Sequence, residues 1–139
     1  MIVAAAALIR LGWEDKITEY LSLKYFLPAI GQGALVIETP LGDKEMTELI
    51  SPVNHLPTWQ AITAERAFLR TLGGGCRAPI AALGMVNGTT LKLEGMVADA
   101  SGKKMLYSSE EGSVMSPGEV GTRLAHKIWS MGASEFITR

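Results

Sequence analysis

Residues 79–98, PIAALGMVNGTTLKLEGMVA, contain the pattern that decides the fold. Asn87-Gly88 lies between two apolar segments, and this dipeptide is the strongest short-range signal for a β-hairpin. After the turn, apolar residues alternate with charged ones, which is typical of a strand with one buried face. The buried face comprises Leu91, Leu93 and Val97, and the opposite face carries Lys92 and Glu94. The sequence therefore predicts two paired strands at 79–86 and 89–98.

A third strand and two helices complete this part of the chain. Residues 99–102, DASG, predict a second turn that leads into a strand at about 103–110. A helix is expected over 55–72, ending at three consecutive glycines. A last helix begins with a capping box, and an apolar stripe follows on its inner face. The capping box comprises Ser116, Pro117 and Glu119, and the stripe comprises Val120, Leu124, Ile128 and Met131.

Residues 54–139 are thus predicted to be an α+β domain of order αβββα, a three-stranded antiparallel sheet covered by helices. Residues 1–53 have a different order of predicted elements, in which strands and helices alternate. A strand at 2–4 runs into a helix to about residue 20, and a strand at 35–38 precedes a helix at 43–50 capped by Asp43. This is an incomplete α/β arrangement, and residues 51–54, SPVN, are the candidate boundary.

The start of the chain lies inside an apolar run, which suggests a piece of something longer. Exposed sheet edges in residues 1–53 would also allow self-association with a second copy. Arg10 interrupts the run after eight apolar residues, so export and membrane spanning are not expected.

Composition narrows the classes of function. Hydrophobic residues make up 47% of the 139 residues, charged residues 19%, and the net charge is −1. These values describe a globular chain with no basic surface for nucleic acid or membrane. One cysteine cannot form an internal disulfide, so a reducing cytoplasm is expected. Two histidines and one cysteine, far apart, predict no metal site.

The stretch GGGCRAPIA at 73–81 is the best candidate for chemistry. Three glycines let a large group approach the backbone, and Arg77 beside Cys76 favours the nucleophilic thiolate. The alternative is a small buried side chain in a tight loop, which is how most free cysteines behave. The residues alone favour that alternative.

Three segments together resemble one family. LIRLG at 8–12, LPAIGQGALVIE at 27–38 and TAERAFLRTLGGGCRAPIA at 63–81 are similar to porphobilinogen deaminase (hydroxymethylbilane synthase), in its order and spacing. The resemblance implies a transferase of tetrapyrrole and heme biosynthesis that condenses four porphobilinogen molecules into hydroxymethylbilane, with loss of ammonia. It implies that Cys76 carries a dipyrromethane cofactor through a thioether. Residues 1–53 would end the second domain and return to the first, and 54–139 would form the cofactor-carrying third domain.

The resemblance also assigns further cofactor contacts. Arg10 would bind acidic side chains of cofactor or substrate, since a guanidinium makes bidentate bonds to carboxylates. Gln32 and Gly33 would contact the pyrroles, and the carbonyl of Ala4 would accept from a pyrrole N–H. From the residues alone, a solvated helix residue is the favoured interpretation of Arg10, and an ordinary turn explains the glycines around Gln32 equally well. Glu65 and Arg66 are explained by an ion pair along the helix.

The resemblance places the catalytic aspartate outside this sequence, so no catalytic residue is assigned and the chain alone is expected to be inactive. A reading from a different class remains open. In it, the chain is a small α+β ligand-binding or assembly module whose cysteine is structural.

Overall fold

The computed structural model describes residues 1–73 and 79–137. Within them lie four α-helices and three strands, with short 3₁₀ helices at Glu14–Lys16, Ser51–Val53 and Ala133–Glu135. The α-helices are α1 (Ala5–Arg10), α2 (Lys44–Ile50), α3 (Leu56–Leu72) and α4 (Pro117–Ser130). The strands are β1 (Ile80–Asn87), β2 (Thr90–Ala98) and β3 (Met105–Ser113). The predicted αβββα order is confirmed.

The strands form one antiparallel sheet of order β1-β2-β3. Asn87 pairs with Thr90, so the turn between β1 and β2 consists of Gly88 and Thr89, one residue later than the sequence predicts. Gly88 has a φ of 58°, and glycine adopts this conformation without steric cost. The predicted alternation in β2 is also confirmed, because Leu91, Leu93 and Val97 are fully buried.

The second turn is held by the side chain of Asp99. Its Oδ1 accepts hydrogen bonds from the amides of Lys103 at 2.8 Å and Lys104 at 3.2 Å. The hydroxyl of Ser101 donates to Oδ2 at 2.8 Å. These bonds to the carboxylate, the one from Ser101 above all, lower the pKa of Asp99 below its ordinary value. The third strand therefore begins at residue 105, two residues later than expected.

Helices α3 and α4 pack on the same face of the sheet. A Cβ built on Gly95, in the middle of β2, would lie within 3 Å of Phe68 from α3 and Leu124 from α4. The core between the two layers consists mainly of Phe68, Leu72, Leu91, Leu93, Val97, Val120, Leu124 and Ile128. Burial of each such side chain contributes about 1.5–3 kcal/mol. The described part of the chain thus contains a two-layer α+β domain.

Two details of the helices differ from prediction. Ser116 is the N-cap of α4, but its side chain makes no capping bond, and the amide of Glu119 donates instead to its backbone oxygen at 3.1 Å. Met131 lies at the C-cap of α4 and is 46% exposed, so it does not belong to the inner face. The stripe ends at Ile128 because the helix ends two residues later.

The strands expected at 2–4 and 35–38 are wrong. Both segments lie outside any strand, and the first helix spans only residues 5–10. A strand is stabilised by hydrogen bonds to a neighbouring strand, and none of the described strands pairs with these segments. Helix α2 and its cap are confirmed, because the amide of Met46 donates to Asp43 at 2.9 Å.

Residues 1–53 leave many apolar side chains exposed. Examples are Trp13, Tyr25, Leu35, Val36 and Leu49. Apolar surface of this extent is typical of a segment that packs against further protein. None of the described helices has the length and apolar character needed to span a membrane.

The contact between α3 and α4 provides a stability test. A Cβ on Gly121 would collide with the carbonyl oxygen of Ala64, a backbone atom that cannot move aside cheaply. Gly121→Ala should therefore reduce the free energy of unfolding by about 2–3 kcal/mol, as overpacking does. Gly118, in the same helix, has open space around it. As the matched control, Gly118→Ala should be neutral or stabilise by up to about 1 kcal/mol. Urea unfolding of the two variants checks this, and equal stabilities would contradict the packing.

Candidate functional site

The segment Ala29–Ala34 forms a tight turn with Gln32 at its exposed apex. The amide of Gln32 donates to the carbonyl of Ala29 at 3.0 Å, and the amide of Ala34 donates to Gly31 at 3.3 Å. Gly31 and Gly33 have φ values of 75° and 85°, a region that residues with a Cβ rarely adopt. A Cβ built on either glycine would meet no atom within 4 Å. The backbone on this side of the turn is therefore open to a ligand.

The turn is fixed to the C-terminal domain by apolar contacts and one hydrogen bond. Leu27 is buried, and Ile30 packs against the core between the helices and the sheet. The amide of Gly31 donates to Oε2 of Glu65 at 2.8 Å. The backbone is thus fixed at Gly31, the residue directly before the exposed Gln32.

Glu65 lies on the buried face of α3 and is 4% exposed. Its second oxygen, Oε1, accepts a hydrogen bond from the amide of Gly84 at 2.9 Å. None of the ion pairs among the described residues involves Glu65, so the expected pair with Arg66 is wrong. Burial raises the pKa of Glu65 above its ordinary value, while the bonds from Gly84 and Gly31 act in the opposite direction.

A close approach between α3 and β1 brings Gly84 within reach of this carboxylate. A Cβ on Gly84 would lie only 2.9 Å from the Cα and Cβ of Ala61, one helical turn before Glu65. Only glycine allows this separation, so the lack of a side chain at residue 84 permits the hydrogen bond. Glu65 therefore joins three elements, namely α3, β1 and the turn at Gly31.

Two further predicted contacts, Arg10 and Ala4, lie at the two ends of α1. Arg10 is the last residue of α1, is exposed, and forms no ion pair with the described residues. Ala4 is the N-cap of the same helix, and its carbonyl accepts from the amide of Ala7 at 3.0 Å. A carbonyl oxygen has a second lone pair, so the assignment of Ala4 stays a prediction. Within residues 1–73 and 79–137, no group of three or more His, Cys, Asp or Glu could hold a metal ion.

Cys76, the predicted cofactor anchor, lies outside the described residues, as does Arg77. The elements on either side of it are defined. Helix α3 ends as expected, with Gly73 in the left-handed region at a φ of 78°. The carbonyl of Pro79 accepts from the amide of Ala98 at 2.9 Å, directly before β1. The chemistry of Cys76 therefore stays a prediction from the sequence.

Glu65 is the residue whose role the sequence interpretation missed, although a signal was present. Position 65 lies four residues after Ala61 and three before Phe68, both of which face the core. Residues at these spacings share one face of a helix. A carboxylate on the buried face needs hydrogen-bond donors, and backbone amides supply them here.

Two family descriptions match the chain. Residues 59–130 match the porphobilinogen deaminase C-terminal domain. Residues 1–48 match the porphobilinogen deaminase dipyromethane cofactor binding domain.

Individual relatives agree with these matches. The chain is 44% identical over 137 residues to the porphobilinogen deaminase of Carboxydothermus hydrogenoformans, covering 99% of this chain and 44% of that protein. The same identity and coverage hold for the enzyme of Moorella thermoacetica. The relative from Synechococcus sp. is also 44% identical, over 43% of its length. The chain thus spans less than half the length of these relatives.

The buried carboxylate predicts a specific pH dependence. Because the pKa of Glu65 is raised above 4.5, the folded chain binds a proton at this group before the unfolded chain does. Its contribution to the free energy of unfolding should grow as the pH falls through the raised pKa, and should become constant below 4.5. Urea unfolding of the wild type and Glu65→Gln, from about pH 7 to about pH 4, measures the difference.

The control is Glu48→Gln, a substitution at an exposed carboxylate in α2. Because this side chain is exposed, the free energies of unfolding of this variant and the wild type should be similar. If the difference in free energy of unfolding between the wild type and E65Q stayed constant or decreased as the pH falls, the raised pKa of Glu65 would be contradicted.

Proposed function

The chain belongs to the porphobilinogen deaminase family, and we propose that it is the carboxy-terminal part of an enzyme that condenses porphobilinogen into hydroxymethylbilane in tetrapyrrole synthesis. The observation that carries this proposal is the turn at Gly31–Gly33. Its backbone is open on one side and is held to the C-terminal domain by Glu65. A ligand-contacting loop on a rigid scaffold needs this combination.

We propose Cys76 as the covalent anchor of a dipyrromethane cofactor. A thiolate is the nucleophilic form of cysteine, and the adjacent Arg77 favours it. The bound cofactor would supply the primer to which porphobilinogen units are added. A thioether suits this role because the linkage has to survive repeated cycles.

The described residues fit an acidic pyrrole compound. The guanidinium of Arg10 is exposed and unpaired among them, and it would bind the carboxylates of cofactor or substrate. The carboxamide of Gln32 and the backbone of Gly33 would contact the rings, and the carbonyl of Ala4 would accept from a pyrrole N–H. The glycines of the turn leave space for such a group.

A thiol nucleophile also suggests where the enzyme works. The chain has one cysteine, which has to stay reduced to react. Reducing conditions are those of the cytoplasm, and we propose that location.

The second candidate is an α+β ligand-binding module with a structural cysteine. The compact domain of α3, α4 and the sheet is consistent with it, because this part packs its own core. The two candidates differ in what they require of the sulfur of Cys76. Only the first requires it to be alkylated.

The adduct is tested in a chimera that joins this chain to the preceding part of the Carboxydothermus hydrogenoformans relative. After incubation with porphobilinogen, mass spectrometry of proteolytic peptides should find a dipyrrole on the peptide that contains Cys76. The control is Cys76→Ala, checked for folding by circular dichroism, which should carry no adduct and show no turnover. A turning-over chimera without an adduct on Cys76, or an equally active C76A, would refute Cys76 as the anchor. A folded chimera with neither adduct nor turnover would favour the second candidate.

The 139-residue chain alone should form no hydroxymethylbilane. Stabilisation of developing charge is usually a large catalytic contribution, and the family resemblance places the aspartate that provides it in the part of the relatives that this chain does not span. A colour assay for uroporphyrin after incubation of the purified chain with porphobilinogen measures this. Robust turnover would contradict the proposal.

The exposed apolar side chains of residues 1–53 also support self-association, which we propose for the isolated chain. Size-exclusion chromatography at several concentrations of the same preparation checks it, and a monomer throughout would count against it.

A further inference from the structure

The carboxylate of Glu65 is buried and is held by backbone amides. It is 4% exposed, and no ion pair among the described residues includes it. Its two oxygens accept from two backbone amides, those of Gly31 at 2.8 Å and Gly84 at 2.9 Å. Removing a carboxylate from water is unfavourable unless strong hydrogen bonds compensate. The two amide hydrogen bonds supply this compensation here.

The identity of the side chain explains why both bonds form. An ionised carboxylate has two acceptor oxygens and no donor, so each oxygen can serve a separate amide. A glutamine would offer one oxygen, and its NH₂ group would face the other amide. Of the two amides, one belongs to β1 and the other immediately precedes Gln32. One side chain thus ties the turn to the sheet.

We infer that Glu65 is a positioning residue that holds the Gly31–Gly33 turn against the C-terminal domain and thereby determines where Gln32 is presented to an acidic pyrrole ligand. The role of Gln32 rests on the proposed function, whereas the positioning by Glu65 does not. Ile30 packs against the core of the domain through apolar contacts, and Leu27 is buried. Such contacts are not directional, so the hydrogen bond to Gly31 fixes the orientation of the turn.

A purely structural role predicts something different. If Glu65 only satisfied the amide of Gly84 in β1, its loss would disturb the sheet and α3 but leave the turn unchanged. The two amides can be observed separately by nuclear magnetic resonance, which makes the two roles distinguishable.

The experiment compares amide hydrogen exchange in the wild-type chain, Glu65→Gln and the exposed control Glu48→Gln. Exchange at Leu93, in the centre of β2, reports global unfolding and normalises the data. In E65Q, the amides of Gly31, Gln32 and Ala34 should exchange at least about tenfold faster after this normalisation, as expected for a lost bond to a charged acceptor. Unchanged exchange in the turn together with faster exchange at Gly84 would overturn the inference.

A second measurement does not depend on the folding of E65Q. In the wild type, the amide shifts of Gly31 and Gly84 should follow one common titration, because both amides donate to the same carboxyl group. A titration seen at Gly84 and absent at Gly31 would overturn the inference.

A third comparison separates this inference from the proposed function. In the chimera, E65Q should keep the adduct on Cys76 and lose turnover at least about tenfold, and E48Q should keep both. If E65Q kept full turnover although its turn exchanges faster, the position of the turn would not matter for catalysis. The inferred positioning of Gln32 would then be wrong. Absence of the adduct from the wild-type chimera would instead refute the proposed function, while the exchange result would still decide the inference.

Discussion

The carboxylate of Glu65 connects the two parts of this chain. Residues 1–53 contain only short helices, and their apolar side chains remain largely exposed. Residues 56–73 and 79–137 form a packed two-layer domain with a continuous core. The hydrogen bond from Gly31 to Glu65, together with the packing of Ile30 on the core, fixes the turn of the first part on the second. Without this attachment, the exposed turn would have no defined position relative to α3 and β1.

Small residues make this attachment geometrically attainable. Gly84 lets Ala61 lie against β1, and Gly121 lets α4 lie against the backbone of α3. Helix α3 therefore has close neighbours on two sides, and Glu65 projects from it toward β1. The position of the Glu65 carboxylate thus depends on glycines that allow these close approaches.

The sequence predicted the C-terminal domain because its signals are local. Alternation in β2, the glycine at the hairpin turn and the apolar stripe of α4 each act over a few residues. The strands expected at 2–4 and 35–38 failed because β-branched composition does not supply a pairing partner. For the site, the sequence predicted a turn at Gln32, and the ligand contacts of Gln32 and Arg10 stay predictions. Glu65 was wrongly assigned to an ion pair along the helix, since its partners are amides 34 and 19 residues away in the sequence.

The most direct test of this account is the detection of magnetisation transfer across the hydrogen bonds to Glu65. In the wild-type chain, we expect correlations from the amide nitrogens of both Gly31 and Gly84 to the side-chain carboxyl carbon of Glu65. Both donor–acceptor distances lie below 3 Å, where such couplings are measurable. A correlation from Gly84 alone, with the amide of Gly31 bonded elsewhere or to solvent, would show that Glu65 does not hold the turn.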